Sequence, residues 1–130
     1  MSLAALAFGV VLSLVGVAFY AATGAVAPTA LIPTAIGLLL VLAGGLARAR
    51  REGLRVHAMH LAVLVGTLGF LGCVPGLFKL PLLLGGNPVA RPLAVVEQAV
   101  TAAVCLAFVA LCVRSFVRAR RTRTASRSPA

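Results

Sequence analysis

The sequence predicts an all-α membrane protein: a four-helix transmembrane bundle of two antiparallel hairpins, with a short interfacial segment between helices three and four. Three observations carry that expectation. Hydrophobic residues make up 62% of the 130 residues and charged residues only 11%, with a mean hydropathy of +1.11. A soluble domain of this size needs far more polar surface. Apolar runs of spanning length recur along the chain, separated by turn-forming or arginine-rich stretches. The basic residues gather beside those runs: of 12 Lys and Arg, all but Lys79 and Arg91 lie between Arg48 and Arg55 or between Arg114 and Arg127.

The first helix is expected over residues 3–22, an uncharged run whose length at 1.5 Å per residue matches a hydrocarbon core of about 30 Å. Ala25-Val26-Ala27 has the small-x-small pattern of a signal cleavage site. Pro28 would follow that cut, however, no Lys or Arg precedes the run, and the run exceeds a usual signal core. It is therefore read as a span. The second helix, 31–50, carries Pro33 in its first turn, where a missing N–H costs nothing, and arginines at its end, where cations suit the helix dipole.

Gly53 is expected to stop this helix and lead tightly into the third, 55–74, which Pro75-Gly76 should break. Leu77–Val89 is too short to span and is interrupted by Lys79, Pro81, Gly85, Gly86 and Pro88, so an interfacial or re-entrant segment is expected. The fourth helix should open at Pro92 and run to 116. Residues 118–130, rich in Arg, Ser and Thr without apolar periodicity, are expected to form a disordered cytoplasmic tail.

Placing both basic clusters on the cytoplasmic side puts the N- and C-termini inside and Lys79 and Arg91 outside. Arg48, Arg50, Arg51, Arg55, Arg114, Arg118, Arg120 and Arg121 are then lipid-headgroup anchors. Anionic lipid is the expected partner, with a second copy or another membrane protein as further candidates, and no nucleic acid. The two halves share an ending, Ala47-Arg48-Ala49-Arg50-Arg51 and Val117-Arg118-Ala119-Arg120-Arg121. An ancient duplication explains it, and so does the demand that spans end in arginine.

Helices in lipid associate through small residues, which marks Gly9, Ser13 and Gly16 on the first helix and Gly66, Gly69 and Gly72 on the third as packing positions. Four polar residues remain as functional candidates. His57 and His60 share a helix face at i, i+3, but no third ligand is near in sequence, so no metal site is expected. Water, headgroups or Glu52 would satisfy them at the interface. Glu97 is the sole acid inside an expected span, beside Gln98 and one turn before Thr101. Intramembrane acids are functional candidates by default, yet Glu97 lies near enough to the helix start to reach Arg91 or Lys79 as a rim anchor.

Cys73, Cys105 and Cys112 lie in apolar segments and outside any C-x-x-C pair, which fits buried apolar residues. No nucleophile and base set is present, so neither enzymatic activity nor a cofactor is expected. Two functions stay open: a non-catalytic accessory, scaffold or homo-oligomeric subunit, read first, and a small transporter or ion- or proton-conducting protein using Glu97. The position of Glu97, rim or interior cavity, separates them.

Ala30-Leu31-Ile32-Pro33 opening a helix, an Arg-rich turn, His57-Ala58-Met59-His60 and then Val65-Gly66-Thr67-Leu68-Gly69-Phe70-Leu71-Gly72 resemble a group of short bacterial inner-membrane proteins of unknown function. The resemblance spans most of residues 30–116 and implies a bacterial inner membrane, without an activity. Size and span count are also similar to the small multidrug resistance transporters. Those carry their acid in the first helix, where this chain has none.

Overall fold

A computed structural model of the chain describes residues 2–48 and 51–127. Helix α1 covers Ser2–Ala22, a 3₁₀ turn covers Pro28–Leu31, and α2 follows at Ile32–Leu46; α3 covers Glu52–Leu84 and α4 covers Pro92–Arg127. All four are long and apolar enough to cross a membrane, the second counted together with its 3₁₀ turn. The architecture is that of a multi-pass membrane protein. Its outer surface agrees: Leu3, Leu14 and Leu42 are more than 60% exposed, a cost in water but not against lipid tails.

Glycine sets how α1 meets α2. A Cβ on Gly37 would sit 2.5 Å from the Gly9 carbonyl oxygen and 2.6 Å from the Ser13 nitrogen, and one on Gly44 would lie 3.0 Å from the Ser2 carbonyl oxygen. Gly16 faces Thr34 and Ala30 in the same way. The partners descend along α2 as α1 advances, and the backbones are in van der Waals contact. One hydrogen bond crosses the seam, from Thr34 Oγ1 to the Ser13 carbonyl at 3.2 Å. The connection turns sharply through left-handed Gly24 and Ala25 (φ 69° and 62°), a conformation costly for alanine.

The α3–α4 seam is looser and uses side chains. Gly66 admits the Phe108 ring, Gly69 admits Cys105 Sγ, and Gly76 admits Gln98. Phe8 of α1 closes on Phe108 with ring centroids 5.6 Å apart, which ties the two pairs together. Ala5, Leu12, Leu40, Ala62, Cys105 and Phe108 are fully buried around that contact.

The helix limits differ from expectation in four places. Helix α2 ends at Leu46, with Arg48 in the turn beyond it; Arg50 lies outside the described residues. Gly53 does not stop a helix but sits in the first turn of α3, which starts at Glu52. Pro75-Gly76 does not end α3, and no interfacial segment starts at Leu77: the helix passes through Pro75 and Pro81 to Leu84. Each proline removes one hydrogen bond, a loss that packing against neighbouring helices sustains in a membrane. Finally, α4 continues to Arg127, so residues 118–127 are helical; 128–130 lie outside the described residues. An established helix adds residues without a new nucleation cost, and Arg is a good helix former.

A candidate cation-binding cavity

Glu97 stands on the second turn of α4, five residues and about 8 Å of rise from Pro92. That places it nearer the start of the span than its middle. It is only 7% exposed, and among the described residues it makes no hydrogen bond or ion pair. Arg91 and Lys79, the expected rim partners, do not engage it. Instead it lines a cavity of about 380 Å³ between α2, α3 and α4, together with Gln98, Thr101, Cys73, Gly72 and Thr29.

Thr101 follows Glu97 by one turn and shares its helix face. It is 1% exposed, and its hydroxyl has no hydrogen-bond partner. That is unusual within this molecule. Ser13 and Thr67 both donate to the carbonyl four residues back, at 2.9 and 2.8 Å, the ordinary way for a helix to satisfy a buried hydroxyl. An orphaned buried hydroxyl costs about 1–3 kcal/mol, and a partly buried carboxylate adds to that cost. Two unpartnered polar groups side by side on one wall form a ready set of oxygen acceptors.

Gly76 shapes this wall. A Cβ there would collide with the Gln98 side chain, so the glycine is what lets the amide lie flat against α3. Gln98 also lines a second cavity, of about 600 Å³, with Lys79 and Arg91. The two spaces share Thr29, Ile32, Ala94 and Gln98 and adjoin as the two parts of a cleft, the acid lining one part and the two cations the other. The inner space opens sideways as well: Ile32, Leu39 and Leu68 on its rim are 56%, 47% and 58% exposed. One and two turns deeper along α4, buried Cys105 and Phe108 join Leu12 and Leu40 in an apolar layer.

The chain matches no protein-family model, no curated protein and no solved structure.

The histidines lie at the opposite end of α3. His57 Nδ1 donates to the Gly53 carbonyl at 3.0 Å and His60 Nδ1 to the Val56 carbonyl at 2.8 Å, so each ring is fixed by its own helix rather than by Glu52. His60 lines an apolar groove with Met59, Cys112 and Phe116. Among the described residues no group of three metal-ligating side chains occurs. The three cysteines are free and buried.

Of the packing glycines expected from sequence, Gly9 and Gly16 meet α2, and Gly66 and Gly69 meet α4, while a Cβ on Gly72 would meet nothing within 4 Å. Ser13 accepts the Thr34 bond. Gly37, Gly44 and Gly76 escaped sequence reading, as did the role of Thr101. Thr101 had a usable signal, its i, i+4 spacing from Glu97; Gly76 was hidden by the proline before it. Arg48, Arg51, Arg55, Arg114, Arg118, Arg120 and Arg121 are all exposed, with the Arg120 guanidinium 5.4 Å from the centre of the Phe116 ring.

Proposed function

We propose that this chain is a multi-pass bacterial inner-membrane protein of two antiparallel helical hairpins, with both termini cytoplasmic, that binds a cation or proton at Glu97 as a small transporter or ion-conducting protein. The observation that carries this reading is the burial of Glu97 on a partly open cavity between helices, without a counter-ion among the described residues. A carboxylate on a mostly buried side chain with no Lys or Arg partner among the described residues is stabilised by an exchangeable cation or proton, which is how intramembrane acids serve coupling sites. A scaffold needs no such group, and the rim ion pair that would have given Glu97 a structural role is not among the contacts of the described residues. Support for the orientation comes from the basic residues around Arg51 and Arg118, which lie toward the end where Ser2 meets Gly44, with Lys79 and Arg91 toward the other.

Reconstituted protein tests the reading directly. Liposomes carrying the native chain should show cation- or pH-driven flux above protein-free liposomes, and Glu97→Gln, which keeps shape and hydrogen bonding, should abolish it while inserting normally. Equal flux in both proteins, or none in the native one, contradicts the proposal.

A further inference from the structure

Opposite charges that share a cleft without pairing call for a ligand that carries both. Glu97 lines one part of this cleft, and Lys79 and Arg91 line the other. Lys79 stands three residues along α3 from Gly76, the residue that touches Gln98, and so lies on the same side of that helix. An ethanolamine phosphate carries both charges on one short headgroup, its nitrogen and phosphorus joined through two carbons and an ester oxygen. Beside the polar wall the cleft opens to the bilayer between α2 and α3, past exposed Ile32, Leu39 and Leu68 and past Gly72, whose missing side chain leaves open space.

We propose that the occupant of this cleft is an aminophospholipid of the leaflet at the Lys79 and Arg91 end. Its ammonium lies on the Glu97 carboxylate, with Gln98 and the unpartnered Thr101 hydroxyl as further acceptors. Its phosphate lies between Lys79 and Arg91, and its acyl chains leave through the gap between α2 and α3. This deepens the cation-binding reading of Glu97 and rests on it. A phosphate on the same molecule gives Lys79 and Arg91 an anion to pair with, which a bare cation on Glu97 leaves unmet. A primary ammonium also brings N–H donors for the acceptors in the wall, which the trimethylammonium of phosphatidylcholine lacks.

The test uses the full chain purified from liposomes of equal phosphatidylethanolamine, phosphatidylcholine and phosphatidylglycerol, with co-purified lipid read by native mass spectrometry. Phosphatidylethanolamine should be retained about tenfold over the other two, the discrimination that one hydrogen bond to a charged group supplies. Glu97→Gln should erase that preference. The exposed pair Lys79→Ala with Arg91→Ala should lower retention of phosphatidylethanolamine without weakening dodecylammonium binding. Equal retention of the three lipids overturns the proposal. If dodecylammonium binds in a Glu97-dependent way while the lipids do not discriminate, the lipid assignment fails and the cation site stands. If neither ligand depends on Glu97, both fall. Soluble phosphoethanolamine binding as tightly as the lipid would overturn the assignment to a membrane lipid.

Discussion

Gly37 and Gly72 are alike in sequence, each a glycine in an apolar helix, yet they do opposite things. A methyl group on Gly37 would press on the backbone of α1, whereas one on Gly72 would enter open space. Gly37→Ala should therefore lose stability, by about 1–3 kcal/mol as overpacked sites do. Gly72→Ala should be neutral or gain up to about 1 kcal/mol from helix propensity. Unfolding in mixed detergent micelles measures both, and equal effects would mean that the α1–α2 seam is not as close as described. Glu97 was legible as the one acid within a span, but its surroundings were not. Sequence distance from Pro92 suggests a rim position; what removes it from the rim is α3, which continues past Pro75 and covers that level of α4.

At the scale of helices, the sequence was most informative where composition alone decides. The four apolar runs and the opening of α4 at Pro92 were as expected. It misled at breakers and at charge. Pro75-Gly76 ends a helix in water because freed carbonyls and an exposed backbone compete with helical order. Here Gly76 is packed against Gln98, and the helix goes on. The arginine-rich end looked disordered because it has no apolar face, yet α4 carries its helix on to Arg127 with Thr122 and Thr124 bonded back along the same turn. Since α4 has 36 residues, it is about 54 Å long, well beyond a core of about 30 Å. Truncation after Val117 should lower far-ultraviolet helical ellipticity in proportion to residues 118–127. An unchanged total helical signal would return this segment to a disordered tail.

At the scale of the whole molecule, the charge distribution and the cavity describe one polarity. Both basic clusters lie toward the end that carries the His60 groove, and the acid-containing cleft opens at the other. In a background without Cys73, Cys105 and Cys112, Asn87→Cys should label with an impermeant thiol reagent from outside intact cells, and Glu52→Cys and Thr124→Cys should not. The reverse pattern would invert the topology. The central claim, that Glu97 is an exchangeable cation site, has one most direct measurement. The chain contains only two Asp or Glu residues, so infrared difference spectra are readily assigned. Adding dodecylammonium to the reconstituted native protein should shift one side-chain carboxyl band, present in Glu52→Gln and absent in Glu97→Gln. A spectrum without a carboxyl change, or one that survives in Glu97→Gln, would contradict the account.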